Sequence, residues 1–119
     1  IAGLVEGSAD FLYIGPDNFV GQYSQTITDQ AIDLGLPSFT ATELEVREAS
    51  ALFGLVSRYE AVGELTALQA ERILVEGIDP GTIAAQTLSK FTFLIRQEVM
   101  QRIKLFPPMQ IMRYAVIVR

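Results

Sequence analysis

The chain has 119 residues, half of them hydrophobic, with 9 Lys and Arg against 14 Asp and Glu for a net charge of −5. A sequence of this length and apolar content builds a core, as one domain or one lobe of something larger, and is not a disordered chain. It holds no Cys and no His, which excludes disulfide frameworks, thiolate and imidazole metal sites and every His-based triad.

The basic residues are scattered and form no nucleic-acid footprint. No apolar run approaches the roughly 18 residues of a membrane span, so the apolar surplus is packed inside or against a partner. The sequence opens on Ile1-Ala-Gly-Leu-Val-Glu-Gly7, without an initiator Met or a basic signal region, and this heptad reads as the end of a helix closed by Gly7.

Phe11 to Ile14 reads as a short apolar strand broken by Gly15-Pro16, which delivers Asp17 and Asn18 into the start of a helix. In an open parallel α/β sheet, ligands bind outside the carboxyl ends of the strands, where these two residues stand. Asp17 serves there as a ligand contact or as the N-cap of the helix. The helix is expected to run to Leu34, bury Val20, Tyr23, Ile27, Ala31 and Leu34, and close at Gly35.

Leu36 to Thr40 is the next strand, and capping boxes at Thr40/Glu43 and Thr42/Glu45 start a short helix to about Glu48. Thr40 thereby repeats the placement of Asp17 and is open to the same two readings, cap and ligand contact. Ala51 to Val56 is a nearly continuous apolar run, as in a strand covered on both faces. Gly54 inside it marks either a weak point or a close approach to the backbone.

A long helix from Tyr59 to Glu76, ended by Gly77, carries two apolar stripes beside an acidic ridge of Glu60, Glu64 and Glu71. A helix apolar on two sides is covered on two sides, within its own domain or by a missing lobe or partner chain. Phe53 and Tyr59 suit either core positions or stacking on a ligand. Beyond the Asp79-Pro-Gly81 turn lie a strand over Thr87 to Ile95, a helix over Arg96 to Leu105, and a final strand over Tyr114 to Val118. Gly15-Pro-Asp-Asn18 lacks the glycine spacing and Lys of a phosphate loop. The carboxyl cluster and Lys of a phosphoryl-accepting receiver domain are also missing from the strand ends.

The order of motifs resembles the carboxyl-terminal portion of ABC-transporter substrate-binding proteins of the type I periplasmic-binding fold, the family that includes uptake receptors for tryptophan- and tyrosine-like ligands. The resemblance rests on Ala9-Asp-Phe-Leu-Tyr-Ile-Gly-Pro-Asp-Asn18, Gly35-Leu-Pro-Ser-Phe-Thr40 and Tyr59-Glu-Ala-Val-Gly63. It continues through Ala70-Glu-Arg-Ile-Leu-Val-Glu-Gly77, Lys90-Phe-Thr-Phe-Leu-Ile95 and Leu105-Phe-Pro-Pro108. Ser50 stands where the family often has glycine, and Arg58 where an acidic residue often precedes the tyrosine.

The resemblance implies an α/β, three-layer, Rossmann-like lobe with a mainly parallel sheet, spanning residues 1–119, with a crossover helix near residues 58–77 and a terminal segment, the preceding lobe being absent. It further implies a non-enzymatic solute receptor, often a lipoprotein, outside the cytoplasm. Such a receptor holds a small amino-acid-like or polar organic ligand between two lobes and passes it to an ABC permease, with no cofactor. Asp17, Asn18, Thr40 and Tyr59 are the ligand-side residues it indicates. A homo-oligomer formed through the face left by the missing lobe is also expected. The alternative is the effector or sensor domain of a transcriptional regulator, which shares the fold.

Overall fold

A computed structural model describes residues 8–119, so the helix end expected at Ile1 to Gly7 lies outside the described residues. The chain divides into two compact units, one formed by residues 8–56 with Thr92–Arg119 and the other by Ser57–Phe91. The first unit holds a five-stranded sheet in the order β1 (Leu12–Ile14), β2 (Ser38–Thr40), β3 (Phe53–Val56), β4 (Thr92–Arg96) and β5 (Ala115–Val118). β1, β2 and β3 run parallel, β4 is antiparallel to β3, and β5 is parallel to β4. The expected mainly parallel α/β architecture is the observed one.

Five α-helices accompany the sheet in this unit: α1 (Asn18–Gln22), α2 (Ser24–Asp33), α3 (Glu43–Arg47), α5 (Gln97–Arg102) and α6 (Met109–Met112). Adjacent residues of a strand point to opposite faces, and Leu94 and Ile95 are both fully buried. Ile95 joins Ile32 of α2 and Val99 and Met100 of α5 in one apolar cluster. Leu94 joins Val46 of α3, Val56 and Val118 in the other. The sheet is therefore covered on both faces, the three-layer arrangement.

The helix expected from Asp17 to Leu34 is two helices, broken at Tyr23 (φ −108°, ψ 7°). Gly21, which weakens a helix interior by about 1 kcal/mol relative to Ala, sits just before the break. The buried stripe of α2 is Ser24, Thr28, Ala31 and Ile32, while Tyr23 and Leu34 are exposed. Two of those buried residues are polar, and their hydroxyl chemistry is satisfied internally. The Thr28 hydroxyl donates to the Ser24 carbonyl at 2.8 Å and accepts the Ser50 N–H at 3.1 Å, tying α2 to the segment that enters β3.

Helix α2 ends as expected at Gly35, whose φ of +65° is the left-handed conformation glycine adopts without a Cβ penalty. The Leu36 N–H bonds the Ala31 carbonyl at 2.8 Å and the Gly35 N–H bonds Ile32 at 2.9 Å, a Schellman closure with both Leu36 and Ala31 buried. Helix α5 closes similarly, with the Leu105 N–H on the Met100 carbonyl at 3.1 Å, but its left-handed residue is Lys104 (φ 56°). An L-residue there costs roughly 1–2 kcal/mol. Lys104→Gly is therefore expected to stabilise the protein by about 1 kcal/mol, measured as a higher urea midpoint with an unchanged slope.

The strand expected over Thr87 to Ile95 forms only from Thr92, and α6 was not expected. The second unit, inserted in sequence between β3 and β4, is the long helix α4 (Tyr59–Leu74) followed by a 3₁₀ turn at Pro80–Thr82. Asp79 caps that turn by accepting the Gly81 N–H at 2.9 Å. No residue of α4 is buried, and Tyr59, Val62, Leu68 and Leu74 are exposed. Ala61, Leu65, Ala70 and Ile73 of its stripes are half-buried.

Candidate functional site

The carboxyl ends of the three parallel strands carry the candidate residues. β1 ends at Ile14, and Asp17 follows in extended conformation as the N-cap of α1. Its Oδ1 accepts the N–H groups of Phe19 and Val20, each at 2.9 Å. Capping is therefore performed by one oxygen, and among the described residues nothing bonds Oδ2. A carboxylate anchored in this way presents its second oxygen in a fixed direction, at no further cost in side-chain entropy. Asn18, the first residue of α1, is exposed and its amide has no partner among the described residues. Beside it the exposed rings of Phe19 and Tyr23 meet at 5.2 Å.

β2 ends at Thr40, which pairs with Ile14 across the parallel ladder. Thr40 is the counterpart of Asp17 in position, yet not in role. Its side chain is fully buried and its Oγ1 accepts the Thr42 N–H at 3.1 Å and lies 3.1 Å from Thr42 Oγ1. The N-cap of α3 is Thr42, so the expected Thr40/Glu43 capping box does not form. Thr42 instead donates its hydroxyl to Glu45 Oε2, and Glu45 is buried. The sequence contained the Thr42/Glu45 pair as a capping signal, and its burial is the feature no residue pattern disclosed.

β3 ends at Val56. Gly54 within it faces the Val46 side of the sheet, where an added Cβ would stand 2.8 Å from Val46 Cγ2 and 3.0 Å from Val56 Cγ1. The close approach that this glycine permits is thus made by α3. Tyr59, in the second unit, opens α4 with its ring exposed, next to an Arg58–Glu60 ion pair of 3.1 Å.

An apolar cleft of about 300 Å³ is bounded by Phe11, Pro37, Ser38, Phe39, Phe53 and Leu105. Phe53, Ser38 and the residues preceding β1 place it at the amino ends of the parallel strands, away from Asp17 and Asn18. Its wall offers scarcely a polar group to orient a ligand. Among the described residues, no cluster of three or more Asp, Glu, His or Cys could hold a metal ion, and no helix is long and apolar enough to cross a membrane.

No protein-family model matches the sequence, and no curated protein does. Solved structures do match. A conserved domain protein of Vibrio cholerae superposes with a TM-score of 0.82 at 24% identity, over 98% of this chain and 38% of its own. An ABC domain from Streptococcus pneumonia in complex with L-Trp gives 0.78 at 18% identity, over 95% of this chain and 38% of its own. CD0873 of Clostridium difficile, a substrate-binding protein with adhesive properties in its ligand-free, open form, gives 0.77 at 22% identity, over 99% and 38%.

The fold is that of substrate-binding proteins. The resemblance carried by the strand-end motifs holds at that level, and the chain spans 38% of the length of each of these matched structures.

Proposed function

We propose that this chain is the carboxyl-terminal ligand-binding lobe, with its crossover helix and terminal segment, of the solute receptor of an ABC-type uptake transporter. The reading rests on one observation above the others. In a sheet sharing the substrate-binding-protein fold, the carboxyl end of β1 presents an anchored carboxylate, Asp17, with one oxygen open, beside the open amide of Asn18.

An open carboxylate oxygen accepts hydrogen bonds from an ammonium group, and an amide both donates and accepts. The ligand is accordingly a small amino-acid-like or polar organic molecule, bound without enzymatic chemistry between this lobe and a second one. The L-Trp held by the Streptococcus structure supports that ligand class. Asp17, Asn18 and Tyr59 take part through their exposed side chains, and Thr40 through the turn it holds. The receptor is extracytoplasmic, lipid-anchored and delivers to a permease. The exposed side chains of α4, Tyr59, Val62, Leu68 and Leu74, meet the second lobe or, where that is missing, another copy of the chain.

Asp17→Asn separates the two duties of the residue, since Asn is an equally good N-cap but carries no charge. In calorimetric titrations of the intact receptor with the L-amino acids, the variant is expected to unfold at the wild-type temperature. Its affinity should fall roughly 10- to 100-fold, the worth of a hydrogen bond to a charged group. Unchanged affinity for every amino acid the wild type binds would remove Asp17 from the site.

A further inference from the structure

All 14 acidic residues lie in the first 98 positions of the chain, whereas residues 99–119 carry four of the nine basic ones and no acid. The protein is acidic as a whole and cationic at this end, an asymmetry that suits an anionic partner. Of the four cations, Arg102 is engaged by Asp33 at 3.1 Å. Lys104 and Arg113 are exposed, and among the described residues their side chains have neither an ion pair nor a hydrogen bond.

The same stretch presents apolar side chains to solvent. Leu105, Met112 and Ala115 pack against the cluster of Ile95, Val99 and Met100, which fixes the stretch to the core. The N–H groups of Ile111 and Met112 bond the Pro108 carbonyl, Arg113 bonds Met109 and Tyr114 bonds Ile111, so the segment is one continuous turn. Projecting from it are Phe106 at 65% exposure, Met109 at 74% and Tyr114 at 83%. Met109 and Arg113, four residues apart through α6, lie on one side of the turn.

Area and charge choose the occupant. At about 200 Å² per large side chain, the exposed parts of Phe106, Met109 and Tyr114 offer roughly 450 Å², short of the roughly 800 Å² per partner of a standard protein interface. Nucleic-acid binding rests on more phosphate contacts than two free cations supply. A bilayer needs no complementary pocket, since it takes a few aromatic and thioether side chains at headgroup depth and the cations beside them.

We propose that the turn from Lys104 to Tyr114 is a docking surface for an anionic phospholipid bilayer. Phe106, Met109 and Tyr114 enter the headgroup region, and Lys104 and Arg113 lie against the lipid phosphates. The contact is peripheral and independent of the receptor reading, since none of the ligand-side residues takes part. Because the chain as a whole carries −5, general charge attraction cannot produce this binding, and only a local cationic patch can.

The test is sedimentation of the full 119-residue chain with vesicles of phosphatidylcholine mixed with phosphatidylglycerol, and with vesicles of phosphatidylcholine alone. Anionic vesicles are expected to carry the wild type down, neutral ones to bind it about tenfold more weakly, and salt to release it. Each cation near such a surface is worth about fivefold, so Lys104→Glu with Arg113→Glu should lower the partition coefficient roughly 25-fold or more. Phe106→Ser with Tyr114→Ser should lower it about tenfold with the charges intact. All four positions are on the surface, so both double variants should keep the wild-type unfolding midpoint. The chain has no Cys, and a polarity-sensitive dye on Met109→Cys should shift to the blue on anionic vesicles while the same dye on Glu64→Cys of α4 does not. Wild-type partition in both double variants, equal binding to the two kinds of vesicle, or no binding to either overturns the proposal. An oligomer that Phe106→Ser with Tyr114→Ser disperses, without vesicle binding by the wild type, overturns it in favour of a second copy of the chain.

Discussion

Gly54→Val is expected to lower stability by about 3 kcal/mol, the upper range for overpacking a close-packed interior. At roughly 4 °C per kcal/mol for a chain of this size, thermal unfolding should shift down by about 12 °C. The first atom of any side chain at this position meets Val46 Cγ2 at 2.8 Å and Val56 Cγ1 at 3.0 Å. Both neighbours are β-branched, hence stiff about χ1, and both are buried almost completely. Neither can swing aside as a long side chain would.

Strand propensity alone gives the opposite sign, because glycine in a strand interior is the weaker choice and valine among the stronger ones. The direction of the change therefore decides between the two accounts. Gly54→Ala should show about half the loss, and Val46→Ala in the same chain should relieve part of it, a coupling of about 1 kcal/mol or more in a double-mutant cycle. Stability at or above wild type for Gly54→Ala would dismiss the contact.

The elements that show themselves in the sequence are those whose signals are local. Gly35 and Gly77 close helices at positive φ, as their places after apolar stretches indicate, and Asp17 caps α1 through Phe19 and Val20. The apolar run around β3 does form a strand, but not one covered on both faces: Gly54 and Val56 are buried on one side, while Phe53 is half-buried and Leu55 exposed on the other. Periodicity fails where polar residues face inward. Ser24 donates its hydroxyl to the Val20 carbonyl of α1, and Thr28 donates to the Ser24 carbonyl of α2 and accepts the N–H of Ser50, 22 residues away, so the buried stripe is rotated from the one the apolar residues trace. The shortened β4 reflects pairing, since Thr92 is the first residue with a partner on β3, opposite Val56.

The candidate site was legible in the same uneven way. Asp17 and Asn18 follow from a strand, a Gly-Pro break and a helix start, all contiguous. Thr40 obeys the same local grammar, and its burial depends on Thr42, Gly54 and Val46, which meet only after β3 pairs with β2. Glu45 reads as the last member of a capping box because that pattern is short-range. That no cation among the described residues pairs with it depends on Arg47 being engaged by Glu43 and Arg96 by the Val46 carbonyl, 50 residues away.

Leu94→Ala is expected to cost about 3–4 kcal/mol, within the range for removing a buried leucine side chain and leaving part of the cavity unfilled. Leu94 is fully buried at the middle of the sheet, paired with Gly54 on β3 and Val116 on β5. Around it Val46, Val56 and Val118 come from three different elements. Three valines held by separate backbones have little freedom to close the gap, which places the cost above the lower end of the range. Leu94 packs in one cluster with Val46 and Val56, the two side chains that an added Cβ at Gly54 would meet. The two substitutions are therefore coupled: adding Gly54→Ala to Leu94→Ala should cost less than adding it to wild type, since the new cavity gives Val46 and Val56 room to move. Chemical denaturation of the single and double variants measures this, and strictly additive losses would mean that Gly54 and Leu94 do not share one packing volume.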